Sequence, residues 1–191
     1  MPANNKIWVF FGLIATGKST LAAAWAARHG MAHFNSDRLR KELAGISFTT
    51  GRRAAFEQGI YSSEFSRRTY DALLAMAEQE CRAGRPVVLD ASYQRRAERD
   101  RLRGLAARLG VAVVFVLCHC SEEEVMRRLA SRSREPEPVS DGRPAIYLAQ
   151  KERFEVPDEL DDKQLISVST AGDINYLLAE LDKIFEVRSH E

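Results

Sequence analysis

Residues 12–20 constrain the possible folds more than any other stretch of this chain. They read Gly12-Leu13-Ile14-Ala15-Thr16-Gly17-Lys18-Ser19-Thr20. Gly-x4-Gly-Lys-Ser is the pattern of a loop that wraps a phosphate with its backbone N–H groups. It works only between a strand and a helix, because the helix must aim its positive end at the same anion. Both flanks have the right character. Ile7-Trp8-Val9-Phe10-Phe11 precedes the loop as an apolar, strand-like run, and an Ala-rich, helix-like stretch from Thr20 to Arg28 follows it. In such a loop Lys18 reaches the β- and γ-phosphates and the Ser19 hydroxyl holds Mg²⁺. The chain is therefore expected to bind ATP or GTP. It carries no Asn/Thr-Lys-x-Asp guanine-reading motif, which favours ATP.

With 191 residues, 45% of them hydrophobic, the chain suits one α/β domain spanning 1–191 with a sizeable core. A formal net charge of +1 gives no global field that would favour nucleic acid or a membrane surface. No apolar run approaches a membrane span, and Met1-Pro2-Ala3-Asn4-Asn5-Lys6 lacks a signal-type core, so a cytoplasmic location is expected. Cys81, Cys118 and Cys120 are an odd set with no secretion signal, and they read as reduced thiols. Cys118-His119-Cys120 looks like half a metal site. It lacks a second pair, and burial at a strand end is the better reading for at least one of the two thiols.

Strand-like runs at 7–11, 32–35, 86–90, 112–118 and 165–169 alternate with helix-like stretches. The latter fall at 18–29, 36–44, 60–83, 94–109, 122–132, 143–153 and 173–187. Gly30, Gly84 and Gly110 each end a helical stretch just before a strand, and Ser121 to Glu124 forms a capping box. This alternation, with nearly continuous apolar strands, predicts a doubly wound parallel sheet covered on both faces. The stretches 45–59 and 132–144 lack periodicity and are too long for simple turns. They are expected to be substrate or lid loops, with the lid at about 128–144.

Three groups could act on the phosphate. Asn35-Ser36-Asp37-Arg38-Leu39-Arg40-Lys41 sits at a strand end, the edge of a parallel sheet where ligands bind. There Asp37 could accept a hydroxyl proton while Arg40 and Lys41 hold an anionic substrate. Leu39 and Leu43 would form the buried stripe opposite. Val87-Val88-Leu89-Asp90 is an apolar run ending in a carboxylate that can hold Mg²⁺ through water, although Asp90 or Ser92 could instead cap the next helix. Ala91 stands where hydrolytic ATPases place a water-activating Glu, which favours transfer over hydrolysis. Arg128 and Arg132 lie four apart and lead into the polar loop, where their guanidinium groups could meet the phosphates. A solvated face with a Glu124–Arg128 pair is the bland alternative, and Arg127 fits either reading.

Together these segments resemble the small P-loop kinases related to polynucleotide kinase, gluconate kinase and the zeta toxins. Within that group the chain is most similar to the AAA-family ATP-binding domain fused to aminoglycoside-phosphotransferase-like proteins. The matching segments are GLIATGKSTLA, NSDRLRKELAG, YSSEFSRRTY, AGRPVVLDASY, CHCSEEEVMRRLASR and SDGRPAIY. The resemblance implies a sheet of order 2-3-1-4-5 and a helical lid. It implies Asp37 as general base, Arg40 on the acceptor's anionic group, and Arg128 and Arg132 as lid arginines. It also implies Lys18 as a catalytic cation and Asp90 near the acceptor or the Mg²⁺ shell, with ATP and Mg²⁺ as the donor pair. One departure is Ile14-Ala15-Thr16, where relatives carry further small residues. The chain has no room for the phosphotransferase-like partner domain, so it stands alone or is one domain of a longer protein. A nucleotide-binding regulatory module without an acceptor is the first alternative. The second is a polynucleotide 5′-hydroxyl kinase with a channel of Arg52, Arg53, Arg67, Arg95, Tyr61 and Tyr93.

Overall fold

The computed structural model describes residues 5–45, 62–132 and 144–189 of the chain. Period-two alternation along the strands sorts their side chains onto two faces. From β1 (Lys6–Phe11), Ile7, Val9 and Phe11 enter one core, while Trp8 and Phe10 enter the other. All five residues are 0–2% exposed, so β1 is covered on both sides and must be central. It pairs in parallel with β3 (Val87–Asp90) on one side and with β4 (Ala112–His119) on the other. Beyond these lie β2 (Ala32–Asn35) and β5 (Leu165–Ser169), giving the order β2-β3-β1-β4-β5.

Helices cover both faces. Leu21, Ala22, Trp25 and Ala26 of α1 (Lys18–His29) pack with Leu177, Leu178 and Leu181 of α7 (Ile174–Ser189) on the Trp8 face. Trp8 and Trp25 meet at 5.0 Å between ring centroids, a tilted pair that adds about 1 kcal/mol beyond area burial. The opposite face takes Leu39 from α2 (Ser36–Leu43), Tyr70, Leu73, Ala77 and Cys81 from α3 (Ser63–Arg82), and Leu102, Leu105 and Ala106 from α4 (Arg96–Leu109). A third, smaller cluster joins Ile14 and Ala15 of the phosphate loop to Val125 and Leu129 of α5 (Glu122–Arg132) and Tyr147 of α6 (Pro144–Arg153). It packs the outside of the loop against the last two helices before β5.

The expected elements form with small shifts at their ends. Gly30 and Gly110 close α1 and α4 in the left-handed conformation, at φ 62° and 64°. The Ser121 hydroxyl accepts from the Glu124 N–H at 3.2 Å. Cys118 is buried, which pushes its thiol up to about 12. Two expectations need correcting. Leu43 is 37% exposed, so Leu39 is the one apolar side chain that α2 buries in the core. The helix expected from residue 94 begins at Arg96, so neither Asp90 nor Ser92 caps it. Residues 91–95 instead form an irregular connection. Tyr93 adopts φ 41°, its N–H donates to the Tyr70 hydroxyl, and its carbonyl accepts from Arg99. Arg99 is fully buried against Glu159, which is 1% exposed, in a two-pronged ion pair of 2.5 and 3.1 Å. Deleting one partner of such a pair leaves a buried charge uncompensated.

Candidate active site

The phosphate loop starts where β1 ends, and its backbone leaves no room for a side chain at Gly12. That residue has φ 137°, and a Cβ there would land on the Cys118 carbonyl of the neighbouring strand. Three of the loop's carbonyls are held by protein donors. Leu13 O accepts from the Thr16 hydroxyl at 2.8 Å and from Lys18 Nζ at 3.4 Å. Thr16 O accepts from the Thr170 hydroxyl at 2.5 Å, and Ala15 O from Arg128 Nη1 at 3.3 Å. Several amides of the same stretch stay open. Among the described residues no protein acceptor meets the N–H groups of Ala15, Gly17, Lys18, Ser19 or Thr20. The helix start at Gly17 has no side-chain cap and no acidic residue in its first turn. An uncapped N-terminus carries about half a positive charge and attracts anions. Ala15 is in the left-handed region at φ 62°, a conformation that glycine adopts at lower cost.

Beside the loop, β3 and β2 bring polar groups level with it, since Phe10, Asp90 and Asn35 share one register across three strands. Asp90 is fully buried. Burial pushes its carboxyl up. His33, Lys18, Ser19 and Asn35 together outweigh that and hold it below the ordinary carboxylate range. Its Oδ2 accepts from Asn35 Nδ2 at 2.5 Å and lies 3.6 Å from His33 Nε2. Its Oδ1 meets no donor among the described residues. A buried, ionised carboxylate with one free oxygen, next to the Ser19 hydroxyl, fits a Mg²⁺ ion. Mg²⁺ takes few protein oxygens and keeps its own waters.

The α2 side starts from the same edge. Asn35 Oδ1 caps α2 by accepting from the N–H groups of Asp37 and Arg38, each at 3.0 Å. Asp37 is half-buried in the first turn. Arg40 is buried, and its Nη1 donates to the Ser66 hydroxyl at 3.3 Å. Tyr70 and Ser92 pair through their hydroxyls at 3.1 Å, and the Ser92 carbonyl accepts from the Gly12 N–H at 3.3 Å. The turn after β3 therefore touches both α3 and the phosphate loop.

The structure brings together Lys18, Ser19 and Asp90, with Asp37 and Arg40 on the adjacent helix. Arg128 lies behind the loop. Its Nε donates to Glu124 at 2.7 Å and its Nη2 to the Thr170 carbonyl at 2.7 Å. A Cβ on Gly17 would sit 2.9 Å from its Nη1. Arg127 turns to solvent and pairs with Glu124. Arg132 ends α5, and residues 133–143 of the lid expected at about 128–144 lie outside the described residues, as do Arg52, Arg53 and Tyr61. Tyr93 is 1% exposed and cannot serve as a stacking platform for a base, which removes one element of the polynucleotide channel.

Sequence reasoning passed over several residues. An Asn just before a helical run is a cap signal, so Asn35 could have been singled out. Thr170 and Gln150, whose Oε1 accepts from the Ile14 N–H at 2.8 Å, have no local signature.

A central phosphate loop on a parallel sheet of order 2-3-1-4-5, with a carboxylate at the end of the adjacent strand, defines a P-loop protein with the kinase-type fold. The chain belongs to the AAA domain family, whose model matches residues 7–157. Uncharacterized proteins of Mycobacterium tuberculosis and Mycobacterium bovis are 29% identical to it over 131 residues, covering 69% of this chain and 26% of theirs. The chain thus spans about a quarter of the length of those curated relatives. Among solved structures, a gluconokinase of Sinorhizobium meliloti matches at TM-score 0.64 and 23% identity over 100% of both chains. An APS kinase of Mycobacterium tuberculosis in complex with AMPPNP and APS matches at 0.62 and 18%, covering 97% of this chain and 99% of that one. Shikimate kinase of Aquifex aeolicus matches at 0.58 and 12%, covering 96% and 98%. No helix among the described residues is long and apolar enough to cross a membrane.

Proposed function

We propose that this chain is an ATP- and Mg²⁺-dependent phosphotransferase that moves the γ-phosphate to a hydroxyl of a small or nucleotide-like acceptor. One observation carries the reading. The uncapped amides of α1 and the α2 turn bearing Asp37 stand at the same edge of the sheet, on either side of Asp90. The first suits a donor phosphate and the second an acceptor hydroxyl. The small-molecule kinases among the structural neighbours agree with it. Ala91, fully buried, supplies no carboxylate to activate water after Asp90.

In this reading the N–H groups of Ala15 and of Gly17 to Thr20 grip the triphosphate, and Lys18 neutralises charge on its β- and γ-oxygens. Ser19 and Asp90 hold Mg²⁺, which when bound screens the phosphate charge. Arg40 orients an anionic group on the acceptor. Asp37 removes the hydroxyl proton as the acceptor oxygen bonds to the γ-phosphorus. The bond from that phosphorus to the bridging oxygen breaks, and ADP leaves. Arg128 braces the loop from behind, and Arg132 would be a lid arginine on the phosphates. The whole chain acts as one kinase domain in the cytoplasm, and in longer relatives such a domain would work beside another, phosphotransferase-like one.

The test is to incubate the protein with ATP, Mg²⁺ and panels of sugars, nucleosides, aminoglycosides and oligonucleotides. Phosphorylated product should exceed free phosphate for one class. Asp37→Ala should lower that transfer at least ~100-fold while ADP affinity stays within ~3-fold. Transfer by Asp37→Ala at the parent rate would refute the base assignment. Release of free phosphate alone across all panels would favour a hydrolytic, regulatory module.

A further inference from the structure

Asn35 uses both ends of its amide, and each end serves a different half of the site. Oδ1 takes the N–H groups of Asp37 and Arg38, the cap of the helix that carries the base. Nδ2 donates to Asp90 Oδ2 at 2.5 Å and to the Ser19 hydroxyl at 3.5 Å, the carboxylate and the hydroxyl that suit Mg²⁺. The orientation of the amide is not arbitrary. Backbone N–H groups can be met only by an acceptor, and an ionised carboxylate only by a donor, so chemistry alone assigns the oxygen to α2 and the nitrogen to Asp90. A flip would break contacts at both ends. β2 and β3 hold the amide in place by pairing Asn35 directly with Asp90.

We propose that Asn35 is a positioning residue that locks the metal-holding pair, Ser19 and Asp90, in register with the Asp37 turn of α2. This rests on the phosphotransferase reading of the same site. Donating to Asp90 Oδ2 leaves Oδ1 as the oxygen available to a hydrated ion, and it holds the Ser19 hydroxyl alongside. The same side chain fixes where α2 begins, and therefore where Asp37 stands relative to the γ-phosphate. Reactions of this kind depend on geometry at the sub-ångström level, so a shared hinge-pin between donor and acceptor halves has kinetic consequences beyond its two hydrogen bonds.

Two substitutions separate this role from simple capping. Ser is itself a good N-cap, so Asn35→Ser keeps α2 closed but is too short to reach Asp90, whereas Asn35→Ala loses both functions. The primary measurement is thermal unfolding with saturating ADP across a Mg²⁺ titration, which requires no known acceptor. In both variants the Mg²⁺ concentration for half-maximal stabilisation should rise ~10-fold, while ADP binding without metal stays within ~3-fold of the parent. The ligand-free unfolding temperature should fall in both variants, because each leaves the buried Asp90 carboxylate without its amide donor, and further for Asn35→Ala, which also loses the cap. With an acceptor in hand, Asn35→Ser should lower kcat ~10-fold or more with KM for ATP little changed. An unchanged Mg²⁺ midpoint in Asn35→Ser would reduce Asn35 to a helix cap and overturn the proposal. A parent protein showing no Mg²⁺-dependent stabilisation by ADP would overturn the phosphotransferase reading itself, and this proposal with it.

Discussion

Two helices begin at the same edge of this sheet, one after β1 and one after β2, and their N-termini are built in opposite ways. α1 starts at a glycine with no side-chain cap and no acidic residue in its first turn. α2 starts at Asn35, whose oxygen closes two amides, with Asp37 in the first turn. Every helix leaves its first amides without an internal partner. At α2 the sequence satisfies them locally and gains a correctly placed carboxylate. At α1 it leaves them open, which costs stability in the empty protein and creates an anion cradle. The same backbone feature thus gives a donor site where it is unfinished and a rigid acceptor-side platform where it is finished.

The harshest way to break the open end is Gly12→Ala. The new Cβ would meet the Cys118 carbonyl, which belongs to a central strand and cannot yield, and φ 137° is unfavourable for any L-residue. Nucleotide binding should drop by ~100-fold or more, with ~3 kcal/mol of stability lost, by ADP titration and urea denaturation. A variant with parent affinity would mean that the loop can reach its phosphate-binding form without the close approach to β4.

A gentler change makes α1 resemble α2. Thr20 is exposed in the first turn of α1, and Thr20→Glu would place a carboxylate over the open amides. The helix dipole should then stabilise the empty protein by about 0.5 kcal/mol while ADP affinity falls ~10-fold, because the carboxylate competes with phosphate for the same field. Opposite signs in one variant are the diagnostic result, read by thermal unfolding without ligand and by calorimetry with ADP. Weaker stability together with weaker binding would show that the site fails for reasons other than charge at the helix end.

Much of the open end was legible in the sequence, and much of the closed end was not. Gly12, Gly17 and Lys18 form a contiguous pattern with a strand before and a helix after, and every one of those cues is local. Gly30 and Gly110 marked helix ends for the same reason, and alternation along Ile7 to Phe11 placed β1 between two layers. The 2-3-1-4-5 order came with the family resemblance. Polar contacts between residues far apart in the sequence left no trace. Arg128 looked like either half of an exposed pair with Glu124 or a lid residue. It does pair with Glu124, and it also grips Thr170, 42 residues away. Gln150 meets Ile14 across 136 residues, and the buried Arg99 in a helix rich in arginine looks like any solvated one until Glu159 is seen against it. Asn35 carried a cap signal in the sequence, but only the strand register reveals that the rest of its amide is spent on Asp90.

The smallest expected effect is at Ala15, where the open loop carries a cost the sequence could have avoided. Ala15 has φ 62°, a conformation costing an alanine about 1 kcal/mol that a glycine does not incur. Ala15→Gly removes that cost and adds freedom to the unfolded chain worth ~0.5 kcal/mol in the other direction. It also deletes a methyl that packs against the small cluster of Ile14, Val125, Leu129 and Tyr147. That cluster and the Arg128 contact to the Ala15 carbonyl hold the residue in place from outside the loop. The terms nearly cancel, so stability should change by no more than ~0.5 kcal/mol, measured by urea denaturation. ADP affinity should stay within ~3-fold, because the loop's shape is set by its hydrogen-bonded carbonyls rather than by this side chain. A loss above ~1 kcal/mol would instead locate the loop's rigidity in the packed Ala15 methyl, and the third cluster would then belong to the donor site as much as the amides do.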